Sequence, residues 1–575
     1  MLRKRFFLIK NMIVLFMLAG AFVIGFAGCD NGTPKDHIHV FDDWQIITVP
    51  TCVATGSRVK VCTSCGESDP GSIIAIPIDP DAHTYEWEIT TWPTTVPDSG
   101  VETGVCQNNI AHTGDTRPIS ATTTGISYTS YLCSLNYDET ITDSRLIIAA
   151  AQEWGQDITY VSLSSSSAEE NTIVTEVLLP PSITQIGGAA FYKYVNLEKI
   201  TIPENVSSLS ANSFQYCTNL KNITLPANLT TIGNATFAYC ENLESITIPE
   251  NVTTLGSSSF QYCTKLESVT FAGTSKLKDI PLNAFARTGI KSITIPAGIE
   301  TIGNNAFNNC NSLADIVFEP GSLLTSIGTT AFANIAIDTL TLPANLETLG
   351  QSVFGNCSNL ETVNFAPGGK LKNINQGVFN NTKIQSITIP TSVTHLGSNS
   401  GGVGVFSQCG ELEEVLFAPG CQVVFIGQGT FYRCESLESI TIPASVKELG
   451  VMGNGNSMYA GDQPDTAVVD GVFFACSNLR EIIFESGSQL ETIGTRAFTW
   501  LRGSDPPTPA IIEITIPAGV VNVSWRAFYM SCFKTINIPG YPDRAAAIAA
   551  GWDSRWDTEF NNNGSFGTTI VNYGF

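Results

Sequence analysis

Histidine is scarce in this chain, with five in 575 residues, and within the repeats described below only His395 occurs. No G-x-S-x-G elbow, phosphate-binding glycine loop or H-E-x-x-H pair appears. Those absences remove the usual machinery of acyl transfer, nucleotide hydrolysis and zinc proteolysis. Carboxylates are spread over variable positions, so catalysis is not expected. Cations are also short: 29 Lys and Arg stand against 52 Asp and Glu, for a formal net charge of −23. Nucleic acid needs a basic surface and is excluded as a partner. The acidity by itself selects no other partner. Beyond the N-terminus no apolar run reaches the ~20 residues that a membrane-spanning helix needs.

The N-terminus is different. Arg3, Lys4, Arg5 and Lys10 precede a mostly apolar run from Asn11 to Ala27. Such an order marks an export segment. Phe26-Ala27-Gly28-Cys29 ends it, and this resembles a bacterial lipoprotein signal, with Phe26 where such signals usually carry Leu. The resemblance implies that residues 1–28 are a lipoprotein signal peptide and that Cys29 becomes lipidated. An N-terminal lipid would then hold the chain to a membrane outside the cytoplasm. A single acyl chain holds only weakly, so the additional chains matter. An ordinary cleaved signal and an uncleaved anchor are the alternatives. Residues 29–36 read as a linker.

A short repeat follows over residues 37–119. His39, Gly56 and Cys62 recur 44 positions later as His83, Gly100 and Cys106. Two small Cys- and His-containing β modules are expected, each rich in Thr and Val. The first holds His39, Cys52, Cys62 and Cys65, a set with the ligand types of a tetrahedral structural zinc site somewhere in residues 37–83; His37 or His83 could replace His39. An oxidising exported location favours a disulfide instead, as Cys62 to Cys65 or Cys52 to either, leaving Cys106 and Cys133 to pair. Free thiols are the third option. The second module has Val96 and Asn109 where Cys52 and Cys65 stood. No βαβ pattern surrounds the C-x-x-C, so thioredoxin-like chemistry is not indicated. Residues 120–175 read as a bridge and N-terminal cap. There Asp143 or Ser144 is positioned to cap a helix from Arg145 to Glu153, and Ile158–Leu163 reads as a strand.

From residue 176 to 540 one unit repeats. Phe191, Phe214, Phe237 and Phe260 are each 23 apart, and Phe285, Phe307, Phe332, Phe354 and Phe379 follow at alternating spacings of 25 and 22. Phe406, Phe431, Phe473, Phe498 and Phe528 bring the total to fourteen. A period in the low twenties with fixed Leu and Ile predicts a leucine-rich repeat solenoid of short strands and short helical or 3-10 turns. Single units are too small to bury their own apolar face, so stacking makes the core. In Leu243-x-x-Ile246-Thr247-Ile248-Pro249, period two sends the isoleucines inward and the threonine outward. A Gly such as Gly256 re-aims the chain, and the Ala-Phe segment is expected to form a short helical turn with Phe in the core. Alternate strands end in Phe with two residues added (Phe271, Phe318, Phe365), which accounts for the alternating spacing.

The L-x-x-I-T-I-P…I-G-x-x-A-F-x-x-C frames resemble the BspA-like leucine-rich repeat surface proteins of bacteria. Members of that family are typically secreted or at the cell surface, and several act as adhesins. The resemblance implies a surface-exposed chain in the cell envelope that binds a protein ligand, such as a host or microbial surface or matrix protein. A structural, self-associating envelope protein without an external ligand is the alternative. Cys217, Cys240, Cys263, Cys310, Cys357, Cys409, Cys434 and Cys476 all sit three residues after the ruler Phe and are expected as buried packing thiols. Cys421 lies outside that column and is the most exposed thiol expected in the repeats. Thr247, Thr270, Thr294, Thr341 and Thr388 belong to an outward column on a flat concave face of low charge, roughly 60 Å long, which suits an extended protein ligand. Three insertions interrupt the later repeats: 398–404, 451–469 and 500–509. Tyr459, Trp500 and Arg502 in them are candidate anchors, since such side chains dominate interface hot spots; tolerated surface loops are the alternative. Residues 541–575 read as a cap helix, stopped by Gly551, and a tail.

Metal analysis and thiol alkylation of the purified protein separate the options for the first module. The zinc arrangement predicts bound metal that protects Cys52, Cys62 and Cys65 until it is chelated. The disulfide arrangement predicts no metal and protection lost on reduction. Ready alkylation with neither treatment excludes both.

Overall fold

The structure, a computed structural model, describes the backbone of eight strands between residues 41 and 135, and residues 144–148, 159–163, 170–398, 403–450, 471–498, 513–528, 533–557 and 569–574. The chain divides into two compact units, the first taking residues 1–92 and 99–119. Within that unit, Phe41–Thr48, Gly56–Cys62 and Ser68–Ile76 form a three-stranded antiparallel sheet. Tyr85–Thr91, Ser99–Cys106 and Thr113–Ser120 form a second three-stranded sheet, its first two strands antiparallel. Phe41 pairs with Cys62 and Tyr85 with Cys106, so the 44-residue repeat is a repeat of strand register. Cys62 ends a strand; His39, Cys52, Cys65 and Cys29 lie outside the described residues.

The second unit is a parallel-stranded solenoid. One coil shows its plan. Ser245–Ile248 is a four-residue strand with Ile246 and Ile248 buried and Ser245 and Thr247 exposed. Pro249 cannot donate, and its carbonyl accepts from the Val252 N–H at 3.1 Å to close the turn. Thr254–Leu255 forms a two-residue strand. Gly256 follows because a Cβ there would meet the Gly233 carbonyl carbon at 2.2 Å. Phe260, Cys263 and Leu266, all buried, return the chain to the next long strand, Ser268–Phe271.

The ruler phenylalanines are the centre of the core. From Phe191 to Phe528 each is fully buried and stacks on the next with ring centroids 5.0–6.1 Å apart. Stacked pairs add about 0.5–1.5 kcal/mol each beyond burial. The segment that carries them is not the helical turn expected from its Ala-Phe sequence. Residues two before and two after Phe307, Asn305 and Asn309, have φ of 55° and 59°. Asn305, Phe307 and Asn309 donate their N–H groups to carbonyls of the next coil, while Ala306, Asn308 and Cys310 donate three residues back in their own coil. A helix would satisfy every N–H internally. The alternation instead hands every second bond to the neighbouring coil, and the left-handed positions are what allow it. Asn occupies many of these positions, as its short amide tolerates that conformation.

The long strands carry a second rhythm. Ser245–Ile248, Ser268–Phe271, Ser292–Ile295 and Asp315–Phe318 form one sheet, held across its middle by Ser268 and Ser292 alone. Beyond it come the pairs Thr339–Leu342 with Thr362–Phe365, Ser386–Ile389 with Glu414–Phe417, and Ser439–Ile442 with Glu481–Phe484. Each interruption falls where a coil ending in Pro follows a coil ending in Phe. Within a pair, Ala272, Glu319, Ala366, Ala418 and Glu485 donate their N–H to the last strand carbonyl of the preceding coil. The same position in the following coil is Pro296, Pro343, Pro390, Pro443 or Pro517, which has no proton to give. The two-residue strands lack that proline, and ten of them, Asp279–Ile280 through Asn522–Val523, run as one sheet.

Both ends are built from the same materials. Arg145–Ile147 is a strand paired with Glu176–Leu178, not the start of the helix expected at 145–153. Leu146 and Ile147 are buried, and the strand extends the long-strand sheet, which outweighs the local cap signal at Ser144. The strand expected near 158–163 is present as Tyr160–Leu163, between Leu132–Leu135 and Gln185–Ile186 in the short-strand sheet. At the far end Asp543 caps the helix Arg544–Ala549, its Oδ1 accepting from the Ala546 N–H at 2.8 Å. Gly551 follows at φ 124°. Trp556, fully buried, sets its ring edge-on to Phe528 and closes the phenylalanine column.

The cysteine column is packing, as expected. The thiols of Cys217, Cys240, Cys263, Cys310, Cys357, Cys409, Cys434 and Cys476 are free and buried. Each donates to the carbonyl of the ruler Phe one coil back, at 2.9–3.2 Å. Thr288 and Thr382 take the same place in other coils and lie 3.2 Å from Cys310 and Cys409. Burial pushes Cys310 and Cys409 up to about 11 and Cys357 and Cys476 up to about 12. Cys421 is half-buried and the most exposed of the described cysteines.

Phe307→Ala should lower stability in urea by about 3–5 kcal/mol, as for large buried aromatics, whereas Thr294→Ala should stay within about 0.5 kcal/mol; equal effects would remove the phenylalanine column as the main stabilising element. Alkylation of the folded repeats at pH 8 should label Cys421 alone, with the column labelled only in denaturant. Because burial raises these thiol pKa values, the stabilisation linked to them is complete below the ordinary thiol pKa of about 8.5. It is lost progressively as pH rises from there through 11–12, so the denaturation midpoint should fall across that whole window.

Candidate protein-interaction surface

The long strands place two outward columns on one face. Thr247, Thr270, Thr294, Thr341 and Thr388 are all exposed in the first. Register joins Thr247 to Thr270, Thr294 to Val317, Thr341 to Asn364, and Thr388 to Leu416. Thr441 continues the column to Ile483. Val317, Leu416 and Ile483 are 45%, 46% and 42% exposed, so the threonine column carries aliphatic contacts at intervals. The second column pairs Ser268 with Ser292 and Asp315, Ser386 with Glu414, and Ser439 with Glu481. Hydroxyls and aliphatic groups without a dense charge can be desolvated cheaply, as the central part of a protein interface requires.

Charge is distributed unevenly. Toward the N-terminus Glu176 lies 2.6 Å from Arg145 and 3.6 Å from Lys199, and Glu267 lies 2.5 Å from Lys291. The more open of these pairs, Lys291 with Glu267, adds little stability, but each pair sets a cation beside its carboxylate. Toward the C-terminus Glu414, Glu481 and Glu513 stand in the outward column and form no ion pair among the described residues.

The edge formed by the phenylalanine turns holds a feature not anticipated from the sequence. Tyr216, Tyr239 and Tyr262 stack with centroids 4.5 Å apart, and Tyr192 meets Tyr216 edge-on. Arg287 closes the stack 5.2 Å from the Tyr262 ring. Partial burial, then the neighbouring phenols, raise the pKa of Tyr239. The signal was available: each stacked Tyr follows its ruler Phe by two residues. Near the C-terminal end Arg496, Arg526 and Arg555 approach the Trp525 ring at 5.9, 4.6 and 5.5 Å. No sequence period announces that cluster, because its members come from different coils and from the segment after the cap helix.

Tyr459, Trp500 and Arg502 lie outside the described residues. Among the described residues no group of three or more His, Cys, Asp or Glu is arranged to hold a metal ion, and no helix is long and apolar enough to cross a membrane.

The repeats match the family model described as BspA type leucine-rich repeat region, over residues 164–288, 278–401, 401–502 and 466–544. Among curated proteins none matches the sequence. Among solved structures, the chain is similar to a leucine-rich repeat protein from Bacteroides ovatus, with 24% identity over 70% of this chain and 94% of that one, at a TM-score of 0.50. It is also similar to a leucine-rich cell surface protein from Faecalibacterium prausnitzii, with 22% identity over 65% and 97% of the two chains and a TM-score of 0.37. The first of these likenesses speaks to fold alone. With the family frame spanning most of the solenoid, the chain belongs to the BspA-type leucine-rich repeat family.

Proposed function

We propose that this chain is a lipid-anchored cell-surface protein whose solenoid binds protein ligands through the outward face of its long strands, in adhesion to host or microbial surface or matrix proteins. The observation that carries this reading is the exposed column of Thr247, Thr270, Thr294, Thr341 and Thr388, joined in register to the exposed aliphatic side chains Val317 and Leu416. Lipid on Cys29 tethers the chain, and residues 37–119 separate the anchor from the solenoid in sequence. Tyr459, Trp500 and Arg502 add anchors from the inserted loops. Nothing in this reading requires enzymatic chemistry.

A second reading, self-association in the envelope, draws on one observation. The terminal strand Ile570–Tyr573 pairs only with Thr535–Ile538 among the described residues, and Ile570 is 59% exposed. A free edge of that kind templates further pairing. Concentration-dependent oligomers, abolished by Ile570→Lys and unaccompanied by ligand capture, would favour it.

Beads carrying the mature chain, tested on immobilised matrix proteins and on microbial cells, should adhere. Thr270→Arg with Thr294→Arg should reduce adhesion by about tenfold or more, a hot-spot-sized loss, without a change in thermal unfolding. Adhesion unaffected by that pair removes the face as the binding site. Protease shaving of intact cells should release peptides from residues 176–540; protection until the envelope is broken excludes adhesion.

A further inference from the structure

Along the long-strand face the coils alternate in side chains as well as in hydrogen bonding. Asp315–Phe318, Glu414–Phe417 and Glu481–Phe484 each show solvent an acid and, two residues on, an aliphatic side chain: Val317, Leu416 or Ile483. Phe318, Phe417 and Phe484 end these strands only partly buried. The adjacent Pro-ending coils, Ser292–Ile295, Thr339–Leu342, Ser386–Ile389 and Ser439–Ile442, show only Ser or Thr at both places. Thr362–Phe365 differs from the other three Phe-ending coils, with Thr362 and Asn364 outward.

The fold does not ask for those aliphatic groups. Thr294, Thr341, Thr388 and Thr441 fill the same outward position in the neighbouring coils, over the same buried strand residues. Asp315, Glu414 and Glu481 form no ion pair among the described residues. Each band therefore sets an exposed apolar group beside a carboxylate without a counter-charge, and the bands fall on alternate coils. Distance decides what fits that period. Two coils stand roughly 10 Å apart at strand spacing. Same-side residues of an extended segment lying along the solenoid recur at about 6.7 Å and lose step after one band. Seven residues of an α-helix advance about 10.5 Å, so a helix keeps step, with one coil to each half-heptad. From Val317 to Ile483 the row covers about 29 Å, and the accumulated mismatch of about 3 Å is within the reach of flexible side chains.

We propose that Val317, Leu416 and Ile483 seat an amphipathic α-helix of a protein partner, laid along the solenoid. The helix carries a large apolar residue at every seventh position and small residues against Thr341, Thr388 and Thr441. Lys or Arg on its flank meets Asp315, Glu414 and Glu481. The proposal rests on the reading that the long-strand face binds protein, and it names the partner's chemistry. Recognition of a helix by its apolar stripe uses anchors at this spacing. Cations opposite the three carboxylates fix how the stripe is turned and speed encounter. Asn364 stands where the second heptad falls, and a polar group at one such position sets register.

The test uses the mature chain and a labelled peptide of about 24 residues, long enough to cover the row, with Leu at one heptad position, Ala at the other and Lys beside each Leu. Fluorescence anisotropy should show binding that weakens with added salt. Circular dichroism should show peptide helicity rising on binding, since so short a helix is marginal alone. V317T, L416T and I483T together install the residue that neighbouring coils carry, so thermal unfolding should be unchanged while binding weakens about tenfold or more. D315N, E414Q and E481Q together should weaken binding and flatten its salt dependence. L282T, L323T and V521T remove as many exposed aliphatic groups outside the long strands and should leave binding unchanged. A peptide of the same composition, reordered to scatter Leu around the helix, should bind about tenfold more weakly. No binding by the heptad peptide, full binding by V317T/L416T/I483T, equal loss in L282T/L323T/V521T, equal affinity of the reordered peptide, or binding without a gain in helicity would each overturn the proposal. Bead adhesion retained by V317T/L416T/I483T but lost by Thr270→Arg/Thr294→Arg overturns this inference and leaves the face reading standing. Adhesion retained by both overturns both.

Discussion

The structure depends on keeping one coil at strand spacing from the next along three lines at once. Two of these lines are ladders of parallel strands, and the third is the phenylalanine turn, which hands alternate N–H groups to the neighbouring coil. That spacing sets the phenylalanine rings at 5.0–6.1 Å centroid separation and explains residues that look unrelated in isolation. Gly256 is small because the backbone of the preceding coil lies against it. Cys240 and Cys263 are small thiols buried between coils, each donating to the phenylalanine carbonyl one coil back. The left-handed backbone at Asn305 and Asn309 is the local cost of exporting hydrogen bonds from the coil.

The two faces of the solenoid differ for an equally local reason. Where both neighbours offer an N–H, the ladder continues, and the two-residue strands run unbroken through ten coils. Where Pro follows a Phe-ending coil, the ladder stops or, at Ser268 and Ser292, narrows to a single residue pair. The long-strand face is thus divided into pairs by a residue whose first effect is only to end a strand. The divisions are where the ladder hydrogen bonds lapse between coils that remain stacked.

Much of this was legible in the sequence. The phenylalanine period predicted the solenoid, and the position of the cysteines predicted a buried column. Alternation in Ile246-Thr247-Ile248 predicted which side chains face outward. Where expectation and structure part, long-range pairing outweighed a local signal. Ser144 before an Ala-rich run reads as a helix start, yet Arg145–Ile147 pairs with Glu176–Leu178 because two buried apolar residues complete the sheet there. Ala-Phe reads as a helical turn, yet the adjacent coil takes its hydrogen bonds. The tyrosine stack was visible as a period but went unread, since stacking is a property of pairs of coils.

Period, alternation and the places of Pro, Gly and Phe thus determined the coil, its inward and outward residues and the number of coils, because each depends on chemistry within one unit. Tertiary structure alone decided where the long-strand ladder opens, which glutamates find cations and which do not, and how Arg496, Arg526 and Arg555 meet Trp525. Those features depend on the distance between residues of different coils, and stacking is what sets that distance.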